Sequence, residues 1–319
     1  NMRLILLAAA LLAASAAVAA DRTVTDDTGR SVAMPDDPKR IVVLHEPAIG
    51  VPIADLGLSP VGSYGRADNG DSLMAADFYR AVLGDEAPEP LPKGIGPIGN
   101  IDLERLRALD PDLIIGTEHD VNKVERLSTI APVYLQNSST GLVSGFDSEE
   151  ALANLLNRRE RFVARRADYL GKVEEIRSAL SEDPRGKTYL AIFLTDQINA
   201  VGQLSGAVQA LEDLGYQRME LEQAGAIAGY GSTLLVPLSA EIFGRLDPDL
   251  LVVMNTFGET KRGEAAARAA LDRIVPGWER FLKPAREERI LFLDSAKVTT
   301  PSIASALHTL EAFREWATR

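Results

Sequence analysis

The chain contains no cysteine, so neither disulfide bonds nor thiol or iron–sulfur chemistry can contribute to it. It has only three histidines and two tryptophans, and aromatic residues make up 6% of the sequence. Basic residues are also in deficit, because 34 lysines and arginines face 46 aspartates and glutamates, which gives a formal net charge of −12. This balance does not favour binding to nucleic acid or to an anionic lipid surface.

The motifs of several common enzyme classes are missing as well. The sequence has no Walker A loop and no G-x-G-x-x-G opening a helix after a strand. The run Gly202–Gly206 (GQLSG) does not have the spacing of a nucleophile elbow. Lys93–Asn100 (KGIGPIGN) is interrupted by proline and is not a phosphate-binding loop. We therefore predict no catalytic residues and no enzyme activity.

The most informative feature that is present is a repeat. The stretch Ile101–Gly116 (IDLERLRALDPDLIIG) returns as Leu238–Val253 (LSAEIFGRLDPDLLVV). Each copy begins with an N-cap residue, Asp102 or Ser239, followed by a short amphipathic helix. The proline of LDPDL then ends the helix, and the apolar run after it is typical of a buried parallel strand.

A second, shorter repeat supports the first. Asp55–Leu58 (DLGL) and Asp213–Tyr216 (DLGY) follow a strand and a helix in each half of the chain. Two repeats in the same order predict two related α/β lobes, although LDPDL alone could be a common helix-to-strand turn. In open α/β sheets ligands bind beyond the carboxyl ends of the strands, so we expect a ligand cleft between the lobes.

Between the halves, apolar residues recur at helical spacing from Asp147 to Leu180. One helix of this length would extend roughly 50 Å, which suits a rigid connection between two lobes better than a coiled coil. The predicted fold class is therefore α/β, with two Rossmann-like lobes joined by one long helix. The predicted division is a signal peptide at 1–20, an N-terminal lobe at 21–146, a linking helix at 147–181 and a C-terminal lobe at 182–319.

The first residues have the pattern of a secretory signal. Arg3 precedes the apolar run Leu4–Leu12, and small residues lead to an expected cleavage site before Asp21. A membrane anchor is the alternative, but the apolar run is short for a span. Because no cysteine follows the signal to carry a lipid, we predict a periplasmic protein without a lipid anchor.

Two histidines raise the possibility of a direct metal site. His45 with Glu46 and His119 with Asp120 each follow a predicted strand, and the two pairs could converge on zinc or manganese. A metal-assisted hydrolase built on His45, Glu46 and His119 is the corresponding enzyme alternative. We favour no direct metal ligands, since two histidines with carboxylates are a weak signal.

The order of motifs resembles a known family. The segments TDDTGR and PDDPKRIVVL, the DLERLRALDPDLII repeat unit, the long helical stretch and a second lobe are similar to substrate-binding proteins of bacterial ABC importers for iron–siderophores, haem and cobalamin. The resemblance covers Asp21–Arg319. It is strongest to the ferric-hydroxamate binders, on Val201–Tyr216, on Gly229–Thr233 (GYGST) and on Pro97–Asn100.

The resemblance implies that the ligand is a ferric siderophore, which carries its own iron, so that no intrinsic cofactor is needed. Asn100 stands where the family has a ligand-facing Arg, and Gly206 stands where catecholate binders often have one, which favours a hydroxamate-containing ligand. Haem or cobalamin remains the alternative, with His45, His119, Tyr64 or Tyr230 as an axial haem ligand. The candidate ligand-binding residues are Tyr64, Arg66, Asn100, His119, Tyr230, Ser232, Asn255 and Lys297.

The resemblance also implies a protein partner. In this family one glutamate in each lobe docks on arginines of the membrane permease, and Glu104 and Glu241 of the two repeats match that pattern. Helix-dipole complementarity alone could also explain an acidic residue at each position. We expect a monomer that docks on an ABC transporter permease in the inner membrane.

Overall fold

A computed structural model describes residues 21–139, 143–221 and 235–319. The strands are β1 Asp21–Thr25, β2 Ser31–Pro35, β3 Ile41–Val43, β4 Gly62–Ser63, β5 Lys93–Gly94, β6 Leu113–Thr117, β7 Val133–Gln136, β8 Thr188–Leu194, β9 Ile198–Val201, β10 Gln217–Arg218, β11 Leu235–Leu238, β12 Leu250–Met254 and β13 Ile290–Leu293. The helices are α1 Val51–Asp55, α2 Phe78–Leu83, α3 Leu103–Ala108, α4 Val124–Leu127, α5 Asp147–Leu155, α6 Arg159–Ala179, α7 Gly206–Leu214, α8 Ala240–Phe243, α9 Glu264–Ile274, α10 Trp278–Phe281, α11 Lys283–Arg286, α12 Ser295–Val298 and α13 Ile303–Ala317.

Two sheets with matching strand positions form the centre of the two lobes. The N-lobe sheet has the order β5-β4-β3-β6-β7, with parallel pairing throughout. The C-lobe sheet has the order β11-β9-β8-β12-β13, in which β8, β12 and β13 are parallel and β9 is antiparallel to its neighbours. The predicted α/β class with two lobes is confirmed, and the two lobes differ in the direction of one strand. The hairpin of β1 and β2 forms a separate small sheet.

The repeated LDPDL turn performs the same structural task in both lobes. The Asp112 carboxylate accepts hydrogen bonds from the backbone N–H groups of Lys39 and Arg40 at 2.7 and 2.9 Å, just before β3. The Asp249 carboxylate accepts the N–H of Thr188, the first residue of β8, at 2.8 Å. Each aspartate therefore fixes the amino end of the central strand of its sheet to the strand that follows the turn.

The linking segment is two helices, so the prediction of one continuous helix at 147–181 was wrong. The chain turns between α5 and α6 at Asn157, whose φ of 58° is left-handed. Asparagine tolerates this conformation better than most residues. Its side chain also donates to the backbone oxygen of Asp36 in the N-lobe, at 2.8 Å. The apolar spacing continues across the turn, which is why the sequence pattern did not reveal it.

The two lobes share apolar cores. One cluster runs from Val43 and Ile115 in the N-lobe sheet through α6 to Tyr189 and Val252 in the C-lobe sheet. A second cluster packs α1 and α2 of the N-lobe against Ala296 in α12 and the start of α13. Because α1 comes after β3 and α12 directly follows β13, the carboxyl ends of the two sheets are turned towards each other.

Polar contacts at the start of α13 join the lobes as well. Glu149 of α5 accepts the backbone N–H of Ile303 at 2.8 Å, and Asp55 of α1 accepts that of Ala304 at 3.1 Å. Asp55 also receives a hydrogen bond from Arg165 of α6, at 2.6 Å. Burial, followed by the neighbouring Asp55, raises the pKa of Glu149 well above its usual value. The folded state therefore favours the protonated form of Glu149.

Within the described ranges, we find no helix with both the length and the apolar character needed to cross a membrane. The predicted signal peptide, Met2–Ala20, lies outside the residues described.

Candidate ligand-binding site

Each sheet has a switch point, a position on either side of which successive strands of the chain are added towards opposite edges of the sheet. In the N-lobe, β3, β4 and β5 extend to one side and β6 and β7 to the other, so the loops after β3 and β6 diverge. In the C-lobe the corresponding loops follow β8 and β12. Ligands of open α/β sheets bind in the crevice at such switch points. These loops are therefore the centre of the candidate site.

Titratable side chains gather at the switch point of the N-lobe. His45 follows β3, whereas Glu118 and His119 follow β6. Glu118 accepts hydrogen bonds from the backbone N–H of Ser138, at 2.7 Å, and from the hydroxyl of Ser139, at 2.5 Å. Burial alone would raise the pKa of Glu118, but the hydrogen bonds, led by that from Ser139, outweigh it and the pKa is lowered. Glu118 is thus an ionised anchor for the loop after β7.

The two histidines at this switch point differ in how firmly they are held. The imidazole Nδ1 of His45 accepts the backbone N–H of Ala48 at 3.0 Å and so caps the π-helical turn Glu46–Gly50. The side chain of His119 is 72% exposed, and its Nε2 lies 3.4 Å from the Glu118 carboxylate. The predicted ligand residue His119 is therefore available to solvent beside the more rigid His45.

Arg66 was predicted to face the ligand, but its guanidinium is completely buried below the site. It forms a two-pronged ion pair with Glu46, with both N···O distances at 2.7 Å, and a further one with Asp77 at 2.6 Å. It also donates to the backbone oxygen of Gly70 at 2.7 Å. These contacts occupy its donors, so the structure places Arg66 in the support of the site rather than on its surface.

The pKa values of this buried triad shift because of burial and charge together. Burial raises the pKa of Glu46 above its usual value despite the opposing hydrogen bonds from Arg66. Burial alone would lower the pKa of Arg66, but Glu46 and Asp77 outweigh it and raise the pKa. The number of partners differs between the two groups. Arg66 has two carboxylate partners, whereas Glu46 shares one guanidinium with Asp77. Both oxygens of Glu46 accept from Arg66, so we treat Glu46 as ionised.

Tyr64 and Asn100 lie together in a small cavity at one side of the N-lobe site. The cavity has a volume of about 140 Å³ and is also lined by Lys123 and Arg126. Tyr64 is largely buried and its hydroxyl oxygen accepts the backbone N–H of Gly99, whereas Asn100 is exposed. Lys123 is paired with Asp120 at 2.6 Å. Tyr64 therefore holds the loop that presents Asn100.

The C-lobe residues lie at the equivalent strand ends. Asn255 follows β12, but it is buried and its amide donates to the backbone oxygen of Lys261 at 2.6 Å, so it stabilises its own loop. Lys297 in α12 is exposed, and it has no carboxylate partner among the described residues. Phe257 contacts Phe193 of the same lobe and Phe78 of the N-lobe, with ring centres 5.1 Å apart in both pairs. Sequence reasoning missed Phe257, although its place after β12 was visible.

Two further predicted ligand residues, Tyr230 and Ser232, lie outside the described residues. Their predicted contacts with a ligand stay a prediction.

Glu104 and Glu241 occupy equivalent places on the two lobes. Glu104 is in the first turn of α3 and its side chain is 86% exposed, while Glu241 is in the first turn of α8 and is 75% exposed. Glu104 is paired with Arg107 of its own helix, and Glu241 is paired with Arg245, which lies just after α8. Both helices follow an edge strand, β5 or β11. The two carboxylates are accessible to a partner.

The arrangement does not assemble a direct metal centre. Within the described ranges, no group of three or more His, Asp or Glu residues is placed to hold an ion. Both oxygens of Glu46 are bound to Arg66, so Glu46 cannot join His45 and His119 in the alternative metal cluster.

Comparison with known proteins agrees with this architecture. Over 203 residues the chain is 28% identical to the "Probable siderophore-binding lipoprotein YfiY" of Bacillus subtilis, which covers 62% of this chain and 58% of that protein. It is 23% identical to the ferric-anguibactin-binding protein FatB of Vibrio anguillarum, over 73% of this chain and 71% of the relative. The solved structure of Staphylococcus aureus SirA with staphyloferrin B has a similar fold, with a TM-score of 0.69 and 20% identity over 93% of this chain and 98% of that one.

Two α/β lobes whose strand ends face each other define a substrate-binding protein of the two-lobe type. Residues 75–296 match the periplasmic binding protein family, and the chain belongs to that family. Proteins of this family bind substrates rather than transform them, in agreement with the prediction that the chain is not an enzyme.

Proposed function

We propose that this protein captures a ferric siderophore in the periplasm and delivers it to an ABC transporter permease. We propose further that it prefers hydroxamate-containing siderophores. The observation that carries the proposal is the pair of facing switch points, which present hydrogen-bond donors without an assembled metal centre among the described residues. A ferric siderophore satisfies its iron internally and needs from the protein only donors, apolar walls and some positive charge. The names of the relatives YfiY and FatB support this ligand class.

The charges near the site favour a weakly charged complex. Arg66 is neutralised by two buried carboxylates, and Lys123 is paired with Asp120. Arg126 and Lys297 are exposed and lack carboxylate partners within the described part of the chain. A tris-catecholate complex is strongly anionic and needs several cationic partners, whereas a hydroxamate complex needs fewer.

The test is a binding measurement by isothermal titration calorimetry. Purified protein is titrated with ferric ferrioxamine B, with a ferric tris-catecholate, with cobalamin and with haem. We expect saturable binding of the hydroxamate complex and weaker binding of the catecholate. Binding of haem alone, with a shift of its Soret band that is lost in His45 or His119 variants, would contradict the proposal and identify a haem carrier. Saturable binding of cobalamin alone would identify a cobalamin carrier.

We further propose that Glu104 and Glu241 dock on the permease. Support comes from their equivalent positions, their exposure and the presence of one on each lobe. A single chain thus offers a two-point contact, so we propose that it acts as a monomer. Light scattering after size exclusion should give the mass of one chain, and a stable dimer would contradict this.

Charge reversal tests the docking. The double variant Glu104→Arg, Glu241→Arg should bind ligand like the wild type but lose iron–siderophore uptake in cells that depend on it. Glu311→Arg is a matched control, because Glu311 also forms an exposed i,i+3 pair, with Arg314, but lies on α13. Uptake that survives the double reversal would remove the docking proposal.

Export through a cleaved signal at Met2–Ala20, without a lipid anchor, belongs to the same proposal. Its support is the sequence pattern and the membership of the periplasmic binding protein family. Mass spectrometry of protein from the periplasmic fraction should give an amino terminus at Asp21 and no lipid mass. A retained leader would contradict it.

A further inference from the structure

We propose that His45 is a ligand-contacting donor, whose Nε2–H group binds an acceptor oxygen of the siderophore at the N-lobe switch point. The inference rests on the proposed function and deepens it, because it names the residue that selects for acceptor oxygens. It makes His45 a specificity-determining residue for ligands whose outer surface carries hydroxamate or carboxylate oxygens.

The position of His45 comes from the topology. It follows β3, one of the two strands between which the strand order of the N-lobe sheet reverses, and it lies near the loop after β6 that carries Glu118 and His119. The residue is exposed, and its ring is close enough to Asp120 and His119 of that loop for their charges to affect its pKa. An exposed ring at this switch point is within reach of a ligand that binds beyond the carboxyl ends of the strands.

Three hydrogen bonds hold His45 in place, and one of them fixes the orientation of its ring. Its Nδ1 accepts the backbone N–H of Ala48 at 3.0 Å. Its backbone oxygen accepts the N–H groups of Ile49 and Gly50 at 3.0 and 3.2 Å. Because Nδ1 uses its lone pair, the neutral ring must carry its proton on Nε2. Within the described part of the chain Nε2 has no hydrogen-bond partner, so it is a donor that faces outward.

The surroundings of the ring favour its neutral form, chiefly because the neighbouring protein removes water from it. Burial lowers the pKa of His45, and His119 lowers it further, whereas Asp120 and Glu118 oppose the shift without reversing it. Protonation would also place a hydrogen on Nδ1, opposite the N–H of Ala48, and break the cap. A neutral N–H donor matches an uncharged or weakly charged ferric complex. It does not supply the full positive charge that a tris-catecholate needs.

His119 makes a useful contrast at the same switch point. Its Nε2 lies 3.4 Å from both the Glu118 carboxylate and the Ser139 hydroxyl, at the limit of a hydrogen bond. Its side chain is 72% exposed and has no capping role for the ring. Losing His119 should therefore weaken ligand binding less than losing His45.

The first test needs no ligand. Because the chain has three histidines, nitrogen-15 NMR of histidine-labelled protein gives three ring systems, which single His→Gln variants assign. We expect His45 to show protonated Nε2 and unprotonated Nδ1 at pH 7 and to titrate below the ordinary histidine pKa of about 6.5. A His45 ring that is charged at pH 7, or protonated on Nδ1, would overturn the proposal.

The second test measures affinity for ferric ferrioxamine B by calorimetry. His45→Ala should lose about 10- to 100-fold in affinity, as expected for a hydrogen bond to a charged or strongly polarised oxygen. His45→Gln, which retains an N–H donor, should recover part of the loss, and His119→Gln should lose less than His45→Ala. If wild type and His45→Ala both saturate with equal affinity, the proposal is wrong while the proposed function stands. If the wild type binds none of the complexes, the proposed function itself fails.

Discussion

The N-lobe and the C-lobe use the same strand positions but support their ligand-facing ends in different ways. Below the N-lobe site lies a buried triad of charges, Arg66 with Glu46 and Asp77. The matching region of the C-lobe is held by a neutral amide: Asn199, which is buried, donates to the backbone oxygen of Phe193 at 3.1 Å and to the Thr195 hydroxyl at 3.1 Å. The same frame thus has an ionic support on one side and an uncharged one on the other.

The direction of one strand accounts for this difference. In the N-lobe β4 is parallel to β3, so the chain must cross back through the segment 44–61, and Arg66, which follows β4, binds Glu46 of that segment. In the C-lobe β9 is antiparallel to β8, and a hairpin at Thr195–Gln197 suffices. A short hairpin needs only a side-chain amide to satisfy its backbone. The longer crossover brings the Glu46 carboxylate into the interior, and the guanidinium satisfies both of its oxygens.

Removing the N-lobe support should have the largest effect. Arg66→Met leaves Glu46 buried without its counter-ion and should lower the free energy of unfolding by about 3–5 kcal/mol. Urea denaturation followed by circular dichroism measures this. Adding Glu46→Gln should recover part of the loss, since it removes the unpaired charge. A loss below about 1 kcal/mol for Arg66→Met would show that the triad does not support the lobe.

The next effect is expected at the junction between the lobes. Glu149→Ala leaves the N–H of Ile303 without its partner and should cost about 2 kcal/mol. Glu149→Gln keeps an acceptor for Ile303 and supplies a donor for Asp55, so it should be close to neutral. An equal loss in both variants would contradict a protonated Glu149 in the folded state.

The same residue predicts a dependence on pH. The raised pKa of Glu149 means that the folded state holds its proton more tightly than the unfolded state does. Its contribution to stability is therefore complete below the ordinary value of 4.5 and is lost as the pH rises towards the folded-state pKa. Denaturation of wild type and Glu149→Gln between pH 4 and pH 8 should show the wild type losing stability relative to the variant, and parallel curves would contradict this.

A smaller effect is expected in the C-lobe support. Asn199→Ala removes an amide that bonds the β8–β9 hairpin and should cost about 1–2 kcal/mol. The comparison of the lobes requires this loss to be smaller than that of Arg66→Met in the same denaturation experiment. If Asn199→Ala costs as much, the ionic and the neutral support are equivalent.

The smallest effects should be equal in the two lobes. Asp112→Ala and Asp249→Ala each remove a carboxylate that accepts backbone N–H groups at the start of a central strand. The loss should resemble that of a helix N-cap, about 1 kcal/mol for each. Thermal unfolding of both variants tests whether the repeat has one structural task. A difference greater than about 1 kcal/mol would show that the two turns are not equivalent.

Most of the frame could be predicted from the sequence because it depends on repeated local chemistry. Asp102 and Ser239 are the N-caps of α3 and α8, and the apolar runs after LDPDL are β6 and β12, as predicted. The turn at Asn157 could not be predicted, because one residue in a left-handed conformation does not disturb the spacing of apolar residues.

The candidate site was harder to predict because strand ends specify where a side chain begins and not where it points. Arg66 and Asn255 both follow strands, yet each side chain turns inward to partners distant in sequence or beyond a loop. His119, by contrast, remains exposed. The signal that distinguishes them is the set of available partners: Glu46 and Asp77 lie within reach of Arg66, while His119 has only weak contacts.

The positions of the two tryptophans have an optical consequence. Both line a cavity of about 720 Å³ at the amino ends of the C-lobe strands, beside Lys187, Asp249 and Ile290. The candidate site lies at the opposite ends of these strands, so we expect the intrinsic emission to follow unfolding of the C-lobe and to stay nearly constant during ligand capture. The absence of cysteine makes the remedy simple, because a single cysteine introduced near the switch point can carry a fluorophore without competing labels.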